Sequence, residues 1–168
     1  MRIAERAFFL NHILTHMEEY LLKMSYPDII QMFNKVNKNT YSESHFIHAR
    51  ALYNFFYTKP RKNDICSKDY NYSPTGKSEI CESAINHISR GLAHITKVSQ
   101  GPNRSWGREV GIKLEALLVP EIQCFLHHIQ DDTELKALLE QFAEFNYESR
   151  IMTILYRCDA YPIINISS

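Results

Sequence analysis

Residues 79–97, EICESAINHISRGLAHITK, decide the fold class, because their apolar positions keep a helical period throughout. Ile80, Cys81, Ala84, Ile85, Ile88, Gly91, Leu92 and Ile95 form one broad stripe, and Glu82, Asn86, Ser89 and Lys97 fall opposite. A stripe of that width has to be covered by other elements. Beside it His87, Arg90 and His94 follow at i, i+3 and i+7, so two imidazoles and a guanidinium line one edge of the helix over about two turns. Such a row suits proton transfer beside a held phosphate. His94 is the candidate general acid or base, Arg90 the phosphate clamp, and His87 a second proton carrier or orienting group. The bland alternative is an edge row that only reaches out to water.

Outward from this helix the same period recurs. Upstream, Ile3, Ala7, Phe8, Leu10, Leu14, Met17, Leu21 and Met24 predict a helix over 3–24. Pro27 and Asp28 suit a second helix start, whose pattern weakens over 37–42 and resumes from Glu43 to Phe56, as one long helix or two. From Thr58 to Ser78 the period stops, and Pro60, Asn63, Asn71, Pro74 and Gly76 mark a long connection with a helical turn over 64–70. Loops of that length carry function or partner contacts more often than short ones do. Downstream, Val110, Leu114, Leu117, Leu118, Ile122, Phe125, Leu126 and Ile129 predict a helix over 104–129 that is kinked by Pro120. Asp131 or Asp132 offers an N-cap to a fifth helix striped by Leu135, Leu138, Leu139, Phe142 and Phe145, and Ile151–Tyr156 extends that helix or packs as an irregular strap. The expectation is an all-α, up-and-down bundle of four to five helices, one domain over 1–158 with a loose tail over 159–168.

Composition narrows the classes. With 168 residues, one core is the default, and 19 basic against 19 acidic residues leave no global field for nucleic acid or anionic membrane, so such a partner needs a local patch. Glu5, Arg6, Asn11 and His12 interrupt the apolar pattern of the first twenty residues, so neither a signal peptide nor a membrane span is expected, and the expected location is cytoplasmic. Cys66, Cys81, Cys124 and Cys158 are dispersed, which points to reduced thiols, with Cys81 and Cys124 as small buried hydrophobes on their stripes. No glycine-rich phosphate loop is present, and no cofactor is called for.

The eight histidines fall in pairs: His12 with His16, His45 with His48, His87 with His94, and His127 with His128. Helix bundles hold metals with such side chains, but no Glu-x-x-His spacing occurs and adjacent His127 and His128 cannot face one axis. A metal-binding bundle therefore ranks third among the functions, and no metal ligand set is assigned. Two local basic groups remain, Lys59, Arg61 and Lys62 at the start of the long connection, and Arg104 and Arg108 around Trp106. They are candidate RNA contacts, phosphate for the cations and base stacking for the indole. The plainer reading is solvated loop charge, with Trp106 seating its helix.

The run Phe46-Ile47-His48-Ala49-Arg50-Ala51-Leu52-Tyr53-Asn54-Phe55-Phe56-Tyr57, the loop Lys59-Pro60-Arg61-Lys62-Asn63-Asp64-Ile65, and Gly91-Leu92-Ala93-His94-Ile95-Thr96 followed by Trp106 resemble the HEPN superfamily of helical bundles, near the kind found in bacterial abortive-infection systems. The resemblance spans about residues 43–126. It implies a bundle that often dimerises and, in active members, a metal-independent endoribonuclease site at the dimer interface, built from an arginine, a polar residue and a histidine a short way beyond. His94 matches that histidine. Arg90 stands closer to it than the motif's arginine, with only Gly91, Leu92 and Ala93 between, while His87 takes the distal position and Ser89 a nearby polar one. The functions the resemblance implies are RNA cleavage or RNA binding by a homodimer, in a phage-defence setting. The alternative is a non-enzymatic bundle that meets a protein partner through loop 58–78.

Overall fold

The structure, a computed structural model, describes residues 2–24, 35–76, 85–86, 106–141 and 146–160. Among these residues there are helices and no strand. Five helices carry the fold: α1 (Ile3–Met24), α2 (Lys35–Tyr57), α3 (Trp106–Asp131), α4 (Thr133–Leu139) and α5 (Tyr147–Asp159). A 3-10 turn, Ser67–Tyr70, interrupts the connection after α2.

Each helix buries the stripe its spacing marks out. On α1 the fully inaccessible Ala7, Leu10, Leu14, Met17 and Leu21 alternate by three and four residues, the spacing of side chains that interlock with a neighbouring helix. On α3 Leu114, Leu118, Ile122, Phe125 and Leu126 are likewise fully inaccessible and fall on one helix face. Ile85, described as helical, is buried in this core and Asn86 beside it is exposed, in the sense their stripe requires. The centre is aromatic. Phe125 receives Phe55, Phe56, Tyr70 and Tyr72 edge-on with ring centroids 5.3, 5.8, 5.6 and 5.4 Å away. Edge-on rings place a positive rim against a negative face, about 1 kcal/mol per pair beyond burial.

Side-chain contacts give the helix directions. His16 meets His48 and Tyr20 meets His45, so α1 and α2 are antiparallel. Tyr147 bonds the Ala7 carbonyl at 3.1 Å and Arg157 the Glu18 carbonyl at 3.5 Å, so α5 runs with α1. Gln123 bonds Asp159 at 2.7 Å while Gln130 meets Met152, so α3 opposes α5. It follows that α2 and α3 point the same way.

Of the two readings of the second helix, the single helix holds, continuous from Lys35 to Tyr57, and its start near Pro27 lies outside the described residues. Pro120 falls inside α3, where the pattern places it. Several expectations need correction. The fifth helix, capped by Asp132 whose carboxylate accepts from the Leu135 amide at 2.9 Å, stops at Leu139 rather than running on, and Phe142 and Phe145 lie outside the described residues. Ile151–Tyr156 is neither its extension nor a strap, but the middle of α5, a separate helix. Asn146 is the N-cap of α5 and adopts a left-handed backbone, φ 42°, which asparagine accepts more readily than other non-glycine residues. Asp159 closes α5 instead of opening a tail. Cys124 is exposed rather than buried, whereas Cys66 and Cys158 are buried free thiols and burial pushes Cys158 up to about 12. Cys81 lies outside the described residues.

Candidate functional site

His87, Arg90, His94 and Arg104 lie outside the described residues. Trp106 and Arg108 belong to the first turn of α3. The other basic group lies wholly within the described residues. Lys59, Arg61 and Lys62 are all exposed directly beyond the end of α2. The Arg61 amide donates to the Asp64 carboxylate at 3.0 Å and the Asp64 amide donates back to the Arg61 carbonyl at 3.1 Å, a reciprocal turn that orders the backbone from 61 to 64.

The rest of the connection is anchored in the core. Glu121, 2% exposed, follows Pro120 on the buried side of α3. Its carboxylate accepts from the Tyr57 hydroxyl at 2.7 Å, from the Tyr72 hydroxyl, and from the amide and hydroxyl of Thr75 at 3.2 Å. Neutral donors here compensate the cost of taking a charge out of water. Burial, with Glu121 beside it, pushes the Tyr72 hydroxyl well above the ordinary tyrosine range, so it stays a donor. Further along, the Tyr70 hydroxyl donates to the Arg6 carbonyl at 2.9 Å, a ring nitrogen of His128 lies 2.9 Å from the Tyr70 carbonyl, and Asn71 ends the 3-10 turn at φ 56°. Sequence reasoning passed over Glu121. The available signal was an acid standing on an apolar stripe, four residues after Leu117 and four before Phe125.

A second constellation joins two of the histidine pairs. Along the seam of α1 and α2, Nδ1 of His16 stands 2.9 Å from Nδ1 of His48. The His12 ring is edge-on to His16 with centroids 5.0 Å apart, and His16 and His48 centroids are 5.1 Å apart. His45 stacks on Tyr20 at 4.7 Å, one turn further along. Burial, then the neighbouring His48 and His12, lowers His16 to about 4, so it is neutral at physiological pH. His127 is exposed and His128 is engaged with the connection, so the fourth pair does not join the seam. Among the described residues no group of three or more His, Cys, Asp and Glu could hold a metal ion.

Glu115 on α3 is half-buried, and burial raises its carboxyl to about 7. No helix of the described residues is long and apolar enough to cross a membrane. The chain matches no protein-family model, no curated protein and no solved structure.

Proposed function

We propose that the chain is a HEPN-like bundle that binds RNA as a homodimer and cleaves it without metal through His94, Arg90 and His87. The observation that carries the RNA reading is the basic turn: Lys59, Arg61 and Lys62 are exposed together on a connection that Glu121 and Tyr70 pin to the core. Cations clustered on a backbone turn beside a helix end contact a phosphate backbone at a lower ordering cost than cations on an unanchored loop. The helix directions support the family reading. Because α2 and α3 point the same way, an up-and-down order calls for an odd number of helices between them, and the helix predicted over 79–97 supplies one.

Full-length protein is mixed with structured and single-stranded RNAs in EDTA. Cutting that His94→Ala abolishes supports the nuclease. The triple substitution Lys59→Ala, Arg61→Ala and Lys62→Ala is expected to weaken binding and to lower the salt slope of log K by about 2–3. RNAs left intact and unbound by excess protein overturn the proposal. They favour instead the non-enzymatic protein-interaction bundle, whose own supporting observation is on α5, where Met152 and Tyr156 stand one turn apart at 55% and 75% exposure.

A further inference from the structure

We infer that the basic turn takes an unpaired RNA strand, with a base stacked on the ring of Phe8 while Lys59, Arg61 and Lys62 hold the neighbouring phosphates. This rests on the RNA reading above and names the class of RNA. The apolar pattern of residues 3–24 counts Phe8 among its positions, yet α1 leaves the ring 73% exposed, turned away from the buried Leu10, Met17 and Leu21. Phe9 meets it edge-on with centroids 5.3 Å apart, a contact that covers at most one of its two faces. An exposed aromatic face is a stacking platform for any base, because every base has a π-face of its own.

The register of the helices brings this ring and the cations to one end of the bundle. In the antiparallel pair of α1 and α2, His16 stands opposite His48 and Tyr20 opposite His45. Carried toward the start of α1, the same register sets Phe8 level with Phe56 and Tyr57, where α2 ends and the turn with Lys59, Arg61 and Lys62 begins. The connection is tied to that end of α1 as well, since the Tyr70 hydroxyl donates to the Arg6 carbonyl at 2.9 Å. The carboxylates nearest in sequence are engaged, Glu5 by Arg2 at 2.7 Å and Asp64 by the Arg61 amide at 3.0 Å. Bases inside a duplex are stacked on one another, so only an unpaired base can lie on Phe8 while its strand meets the cations. Tyr156 provides the contrast. It is 75% exposed, but α5 runs with α1 and Arg157 bonds the Glu18 carbonyl, which sets Tyr156 about 15 Å along the bundle from Phe8.

Full-length protein is titrated with a short single-stranded 2′-O-methyl RNA of mixed sequence, which attack by a 2′-hydroxyl cannot cut, and with the blunt duplex of the same sequence. Phe8→Ala is expected to weaken single-strand binding roughly fivefold or more and to leave duplex binding unchanged. Phe8→Leu, which keeps apolar bulk without a π-face, falls with Phe8→Ala, whereas Phe8→Trp retains binding and Tyr156→Ala has no effect. The salt slope of Phe8→Ala stays at the wild-type value, because a stacked ring releases no counterion. The side chain is exposed, so these variants unfold in urea with the wild type. Single-strand binding that Phe8→Ala leaves intact, while the triple charge variant still weakens it, overturns the stack and spares the RNA reading. Phe8→Leu binding as tightly as wild type also overturns the stack, in favour of plain apolar contact. Failure of the wild type to bind either probe overturns both, and leaves Phe8 to a protein interface.

Discussion

Single residues decide more here than their spacing announces. Glu121 carries the connection 58–76, because one buried carboxylate is the acceptor for Tyr57, Tyr72 and Thr75. Glu121→Gln keeps the shape but turns two acceptor oxygens into one acceptor and one donor facing hydroxyl donors. We expect a loss of about 2–3 kcal/mol in urea unfolding, since hydrogen bonds to charged groups contribute about 1.5–3 kcal/mol. A loss below about 0.5 kcal/mol would mean that the tyrosines find water instead. Asp132 combines two roles at one position. Burial works to raise its carboxyl, but the Leu135 amide and Arg6 outweigh it and hold it below the ordinary value. Arg6 bonds it at 2.6 Å while lying 5.5 Å over the Tyr70 ring. Asp132→Asn keeps the cap and loses only the charge, whereas Asp132→Ala loses both, so thermal or urea unfolding should rank Ala as the more destabilised by about 1 kcal/mol. Equal losses would assign the whole effect to the ion pair.

Among the elements, α5 depends most on a partner. Its thirteen residues are about the length at which an isolated helix is marginal, so packing has to hold it. Ile151, Ile154, Leu155 and Cys158 supply the apolar side. Arg150 supplies the polar tether, reaching across to α1 with bonds to Glu18 at 2.8 and 2.7 Å, to Thr15 at 3.1 Å and to the side-chain oxygen Oδ1 of Asn11. The Glu18 carboxylate beside it holds the guanidinium above its ordinary value. Because this pair is two-pronged and about three-quarters shielded, a double-mutant cycle with Glu18→Gln and Arg150→Gln should return a coupling near 1 kcal/mol, above the usual surface pair. Coupling indistinguishable from zero would leave apolar packing as the sole fastening of α5.

For the whole molecule, stability against pH is a balance of opposed groups. His16, lowered to about 4, binds its proton more weakly folded than unfolded, so its contribution is lost as pH falls from about 6.5 toward 4. Glu115, raised to about 7, binds its proton more tightly folded, so its contribution grows as pH falls through the same range and is lost above 7. Each acts with a slope of at most about 1.4 kcal/mol per pH unit, reduced by solvent at these half-buried positions. The wild-type curve should therefore be nearly flat between pH 7 and 4.5. His16→Gln should tilt it toward greater acid stability, and Glu115→Gln should raise stability by about 1 kcal/mol at pH 8 and nothing at pH 4.5. Variant curves parallel to the wild type in denaturant titrations would refute both assignments.

The all-α class, the extent of α1, the course of α3 and the cap at Asp132 were legible in the chain itself, because apolar side chains at three- and four-residue spacing define a helix face whatever lies against it. Ile85 and Asn86 fall on the sides their stripe requires for the same reason. The breaks were less legible. A left-handed Asn146 caps α5 without a proline or glycine to announce it, and the weak pattern over 37–42 does not interrupt α2. Side-chain partnerships were not legible at all. Whether Cys124 faces the core, what neutral donors surround Glu121, and that His16 meets His48 rather than another pair depend on how helices from distant parts of the chain are rotated against one another. A sequence specifies each stripe, but the meeting of two stripes is settled only when both pack on the same core, and there the chemistry of the seam and of the anchored loop is decided.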